Sequence, residues 1–162
     1  MSESEGLHPS AQRVADVLTS RGARGTIREF DVPTRTAADA AAALGCEVGA
    51  IASTLVFMID DQPSVVIKSG AFRVDLDLLR QHAGARAARQ ASPDEVRDAT
   101  GQVIGGVSPV GWVKELRTFV DDSLSEYEEL WAACGTPHAV FATTYFELLS
   151  LTGGMPISLR PQ

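Results

Sequence analysis

From Thr100 to Gly111 the chain reads Thr-Gly-Gln-Val-Ile-Gly-Gly-Val-Ser-Pro-Val-Gly, four glycines and a proline framed by apolar side chains. Glycine admits positive φ and lets a ligand approach the backbone closely, while proline fixes the direction in which the chain leaves. The chemistry such a stretch suits is recognition by main-chain N–H groups. Amides of Gly105 and Gly106 are expected to hold a carbonyl oxygen or ribose hydroxyls, stabilising developing charge by preorganisation. The loop is therefore expected to form the floor of the main pocket; on composition alone, a bulged strand and a turn is the other reading. Ser108, ahead of Pro109, has a hydroxyl suited to bonding the turn. His8, His82 and His138 stand at no metal-ligand spacing, so neither metal nor cofactor is expected. His138 follows the turn Gly135-Thr136-Pro137 and is a site candidate or a hydrogen-bonded structural residue. Cys46 and Cys134 lack CxxC spacing, which indicates neither zinc nor a disulfide framework.

The elements that must position this loop follow from periodicity and caps. Pro9 suits a first helical position, and Ala11, Val14, Val17 and Leu18 recur at helical spacing up to Gly22. Residues 26–32 read as a strand. Thr36 with Asp39 opens an alanine helix over 37–43, closed by Gly45. Ile51–Ile59 is a continuous apolar strand, residues 60–63 a turn, and Ser64–Ser69 the returning arm of a hairpin. Asp75 caps a helix through Leu76, Leu78 and Leu79 to Gly84. Ser92-Pro93-Asp94-Glu95 opens the helix that delivers the chain to Gly101. Beyond the loop, Thr118–Val120 reads as a strand followed by a turn at Asp121-Asp122. Residues 126–133 fit helix or strand, 139–143 a strand, and Thr144 with Glu147 the start of a last helix ending at Gly153-Gly154.

The 162 residues, 44% hydrophobic and 22% charged, are expected to form one α+β domain over 8–162 behind a flexible tail of residues 1–7. No apolar run approaches the ~20 residues that span a bilayer, and the acidic start is unlike a signal peptide. A cytoplasmic setting with no membrane partner is expected. The net charge of −7 opposes a general nucleic-acid binder, DNA included. A nucleic-acid ligand would have to be met by a local arginine patch or with help from a partner; Arg24, Arg28, Arg35, Arg73, Arg86 and Arg89 are the candidates.

The pattern G-x-x-x-G-G-x-S-P-x-G from Gly101 to Gly111 resembles the loop of the YbaK family, the prolyl-tRNA-editing domains. Collinear matches support it: Ser53–Phe57, Ser69–Asp75, Gly135–Phe141 and Leu148–Gly154, together spanning about residues 8–154. The resemblance implies a mixed, barrel-like β-sheet with surrounding helices. It also implies a freestanding aminoacyl-tRNA deacylase that clears tRNA mischarged with a small amino acid, in trans and without a metal. The family pocket maps onto Phe30, Ser53, Thr54, Gly105, Gly106, Ala133 and Val140, with Ser108, Pro109 and His138 beside it. Positions 30, 133 and 140 carry a tyrosine, a serine and an aspartate in the cysteine-specific branch, so that branch's specificity does not carry over. The implied partners are the acceptor end of aminoacyl-tRNA and an aminoacyl-tRNA synthetase.

The family usually has lysine where this chain has Ser53. That departure leaves open a catalytically impaired member that binds aminoacyl or nucleotide groups, or a synthetase, without turnover. The hairpin suggests a substitute. If Ile59 faces Ser64, then Leu55 faces Lys68 and Ser53 faces Gly70, so Ser53 and Lys68 become diagonal neighbours on one face. Lys68 is then expected to supply the missing cation; an exposed strand lysine in a decayed site is the other reading.

Overall fold

The computed structural model describes residues 7–160. Residues 1–6 of the expected tail lie outside that range, and Leu7 already packs against the main core.

Local chemistry sets the helices. In α1 (Pro9–Ser20) Ala11, Val14 and Leu18 are buried at helical spacing. The helix α2 (Ala37–Leu44) starts where the Thr36 hydroxyl accepts the Asp39 N–H and stops at left-handed Gly45. Asp75 caps α3 (Leu76–Ala83) in the same way. In α4 (Pro93–Thr100) Ser92 and Glu95 close a reciprocal capping box, and Gly101 takes the left-handed C-cap. Thr144 caps α5 (Tyr145–Thr152).

The strands are β1 (Ile27–Glu29), β2 (Ile51–Ile59), β3 (Gln62–Ser69), β4 (Ala88–Gln90), β5 (Arg117–Asp121), β6 (Leu130–Ala133), β7 (Ala139–Thr143) and β8 (Met155–Ile157). They form one mixed sheet in the order β1-β7-β6-β2-β3-β5-β8, with β4 paired to β2. The α+β class and mixed sheet match the expectation, and the path is open at β1 and β8. One face carries the main core, where Ala52, Val65, Ile67 and Phe141 meet α1, Val110 and α5. Cys134 lies inside it as a small hydrophobe, and burial pushes its thiol up to about 12.

Several expected boundaries are corrected. The first strand covers only Ile27–Glu29, and Val32 is 67% exposed. The hairpin turn is Asp60-Asp61 alone, both at positive φ (48° and 63°), as a two-residue primed turn requires. Pro63 therefore stands inside β3, and the register differs from the expected one: Ile59 faces Gln62, Leu55 faces Val66 and Ser53 faces Lys68 directly. The ambiguous segment resolves into a 3-10 turn over Asp122–Glu126 and the strand β6. Asp121 ends β5 rather than making an open turn. Its buried carboxylate accepts the N–H of Ser69 (2.9 Å), the N–H of Ser123 (3.0 Å) and the Ser123 hydroxyl (2.9 Å), joining the ends of β3 and β5. The three-residue strands β4 and β8 carry no periodic signal and were not expected.

Candidate functional site

The site grows out of a break in the sheet. The Ile51 carbonyl accepts the Gly70 N–H at 2.9 Å. Odd-numbered residues of β2 therefore turn both backbone groups toward β3, and Ala52, Thr54 and Val56 turn theirs to the opposite edge. On that edge β6 pairs only with Ile51 and Ala52, while β4 begins at Phe57. The Val56 carbonyl is taken by the Ala91 N–H at 3.1 Å. Among the described residues no strand pairs with Thr54 there, so its N–H and C=O face the gap between β6 and β4.

A cavity of about 270 Å³ occupies this gap. Residues 51–56 of β2 form one wall, and Thr36, Ala37 and Ala40 at the start of α2 cover it. Trp131, Ala133, Ala139 and Val140 close the side toward β6 and β7, while Gln90, Ala91 and Val96 close the side toward β4 and α4. The glycine-rich loop contributes Ile104, Gly105 and Val107. Arg35 is the one charged side chain in the lining, so the interior is small and apolar with a single cation at its rim.

The two central glycines have different tasks. Gly105 has φ +88°, and the nearest atoms to a Cβ there would be the Arg35 side chain and Cα, at 3.4–3.5 Å. Gly106 is buried, and its added Cβ would lie 2.5 Å from the Thr136 carbonyl carbon and 2.8 Å from the Pro137 nitrogen. Its amide donates to the Val103 carbonyl at 3.0 Å. Gly106 thus lets the loop seat on the Thr136-Pro137 turn, and the expectation that its N–H faces a ligand is corrected. The same turn holds the segment before α2: the Thr34 N–H donates to the Pro137 carbonyl at 2.7 Å. Arg35 is thereby held beside Gly105.

Gln102, unmarked by the sequence reading, organises the loop from within. It is 3% exposed, accepts the Ser108 N–H at 2.7 Å, and donates to the carbonyls of Val110 (3.2 Å) and Gly111 (3.3 Å). The only sequence signal for it is a lone amide side chain in an apolar glycine-rich stretch.

The structure brings Ser53, Thr54, Gly105, Ala133 and Val140 together around the cavity. Phe30, Ser108, Pro109 and His138 are outside its lining. Ser108 is fully buried, its carbonyl accepting the Trp112 indole N–H at 2.8 Å and its hydroxyl accepting the Val110 N–H at 3.3 Å. Pro109 lines a separate surface cleft with Arg21 and Trp112. His138 is exposed, with Nδ1 3.2 Å from the Phe30 carbonyl, and the Phe30 N–H donates to the His138 carbonyl at 2.8 Å. These two residues join β1 to β7 instead of meeting the cavity.

Lys68 shares a face with Ser53 but turns its ammonium elsewhere. Nζ donates to the carbonyls of Ser69 and Phe72 and lies 5.8 Å from the Phe72 ring centroid. Burial lowers its pKa below the usual lysine value, opposed by the Asp121 charge and assisted by Arg73. Of the candidate arginines, Arg35 is at the cavity and Arg28 lies 5.8 Å from the Trp131 ring centroid, whereas Arg89 makes a two-pronged ion pair with Glu95. Among the described residues no group of three His, Cys, Asp or Glu side chains could hold a metal ion, and no helix is long and apolar enough to cross a membrane.

Residues 31–151 match the family model for the aminoacyl-tRNA editing domain. The chain belongs to that family. Its relatives place this editing domain in two settings. The uncharacterized protein YwhH of Bacillus subtilis is 31% identical over 140 residues, covering 86% of this chain and 88% of YwhH. The candidate Cys-tRNA(Pro)/Cys-tRNA(Cys) deacylase EbsC of Enterococcus faecalis is 28% identical over 74% of this chain and 73% of its own length. A proline–tRNA ligase of Shouchella clausii is 32% identical over 70% of this chain, which spans only 20% of the ligase. Among solved structures, a candidate trans-editing enzyme for prolyl-tRNA synthetase superposes with a TM-score of 0.90 at 43% identity, over 97% of this chain and 100% of that one.

Proposed function

We propose that this editing domain is an aminoacyl-tRNA deacylase, hydrolysing the ester of tRNA charged with a small amino acid. The observation that carries the reading is the cavity of about 270 Å³ at the sheet break, lined mainly by apolar residues and threonines, with Arg35 at its rim. It suits a small aminoacyl group, with the 3′-terminal phosphates of an acceptor end near the guanidinium. The free N–H of Thr54 is a donor for the oxyanion formed when water adds to the ester carbonyl, and the ribose oxygen leaves with a proton. An aminoacyl ester is already activated, so binding, orientation and one or two such donors suffice. Action in trans, on tRNA charged elsewhere, is supported by the likeness to the candidate trans-editing enzyme. A synthetase partner is supported by the proline–tRNA ligase relatives and would appear as co-elution of the two proteins with charged tRNA. Such substrates put the work in the cytoplasm.

The test is incubation with Ala-, Cys- and Ser-tRNA at catalytic protein concentrations, following loss of the ester. Release of one amino acid in preference to the others supports the reading; binding without release replaces it by a non-catalytic role. Ser53, where the family usually has lysine, is the specific observation behind that second reading. Lys68 is proposed to act beside Ser53 by swinging from the Phe72 carbonyl, since the two residues are directly opposed across β2 and β3. Lys68→Ala then loses activity, and adding Ser53→Lys restores part of it. A silent Lys68→Ala together with activity created by Ser53→Lys alone refutes the lysine exchange and marks the natural site as inactive.

A further inference from the structure

We infer that Thr54 reads the aminoacyl side chain, and that the esters this pocket favours carry a β-hydroxyl, serine or threonine. The inference rests on the deacylase reading and names its substrate class. Thr54 is 7% exposed, and its Oγ1 is buried with no hydrogen-bond partner among the described residues. Its buried counterparts are satisfied: the hydroxyls of Thr34, Thr100 and Thr118 donate to the carbonyls of Pro137, Val96 and Leu116. A buried hydroxyl left unpaired is costly, so such groups call for a ligand-side explanation.

Its location supplies one. Thr54 stands at the middle of the unpaired stretch of β2 and lines the cavity. In the same lining Val56, Ala91, Val96 and Val107 offer only methyl groups to a ligand, beside the polar side chains of Thr34, Thr36, Ser53, Gln90 and Thr136. Apolar walls of this kind set an upper size but separate a hydroxyl from a methyl poorly; a buried hydrogen-bonding group separates them well, because the analogue lacking the hydroxyl leaves it unpaired. A 120° rotation about the Thr54 Cα–Cβ bond carries the hydroxyl to the place of the methyl and the methyl to the place of the Cβ hydrogen, a staggered alternative that turns the oxygen toward the cavity when a partner arrives. A serine or threonine hydroxyl then pairs with Thr54 as donor or as acceptor, whichever its own hydrogen leaves free. An alanyl group offers neither, and a cysteine thiol is the weaker partner in both directions.

The experiment compares wild type, Thr54→Val and Thr54→Ser on Ser-, Thr-, Cys- and Ala-tRNA. The same proteins are titrated with the non-hydrolysable 3′-amide analogues seryl- and alanyl-3′-amino-3′-deoxyadenosine. Wild type prefers seryl over alanyl in both assays. Thr54→Val, which keeps shape and removes the hydroxyl, lowers the seryl-to-alanyl ratio by roughly tenfold. Thr54→Ser retains the preference. Discrimination between the analogues without release of any amino acid leaves the inference standing and removes the deacylase reading. Hydrolysis with no seryl preference, an unchanged ratio in Thr54→Val, or equal loss of the ratio in Thr54→Ser overturns the inference and leaves that reading intact.

Discussion

Substituting alanine at Gly106 should damage the protein more than the same change at Gly105, although only Gly105 lines the cavity. At Gly105 the penalty is conformational. With φ +88° an L-residue is strained by roughly 1–2 kcal/mol, and the new methyl's nearest neighbour is Arg35, no closer than 3.4 Å. At Gly106 the methyl would lie 2.5, 2.7 and 2.8 Å from three backbone atoms of Thr136 and Pro137. Backbone cannot rotate away, so the loop must lift from the turn, a change at the upper end of overpacking costs, about 3 kcal/mol. With an unfolding entropy of roughly 2.1 cal/mol/K per residue, a chain of 162 residues converts 1 kcal/mol into about 3 °C. Thermal denaturation should therefore place Gly105→Ala about 3–6 °C and Gly106→Ala about 9 °C below wild type. In the deacylation assay Gly105→Ala should lose activity while folded, because its methyl enters the space between the loop and Arg35. A Gly106→Ala protein as stable as wild type, or less affected than Gly105→Ala, would refute the division of labour between the two glycines.

Two further outcomes are expected. The half-buried Glu95 carboxylate is held down to about 2, first by Arg89, then by the Ser92 N–H it accepts. A depressed carboxylate stabilises the fold above its unfolded value near 4.3 and loses that contribution as pH falls toward 2; carboxyl NMR titration should find this midpoint, and Arg89→Ala should raise it. Binding of tRNA should be salt-sensitive through few contacts, each adding roughly 0.7–0.9 to the slope of log K against log salt, and Arg35→Ala should remove about one contact. A slope of order ten, or one unchanged by Arg35→Ala, contradicts this placement of the acceptor end.

What the sequence determined by itself was local or collective. Thr36, Asp75, Ser92 and Thr144 cap helices by bonds reaching three residues along the chain, and Gly45, Gly84, Gly101 and Gly153 end them in left-handed conformation. Such interactions need no partner from elsewhere, so residue type and spacing reveal them. The apolar run of β2 and the α+β class were legible for the same reason, and the glycine-rich loop carried the family resemblance. Tertiary structure decided what depends on distant segments meeting. One turn of two aspartates at positive φ moved the β2–β3 register by two residues and set Ser53 opposite Lys68. Three residues of β4 and the early end of β6 left Thr54 unpaired, which no property of Thr54 itself announces. Gly105 and Gly106 are chemically identical neighbours. The Thr136-Pro137 turn, some thirty residues away in sequence, makes one a packing contact and leaves the other beside the cavity.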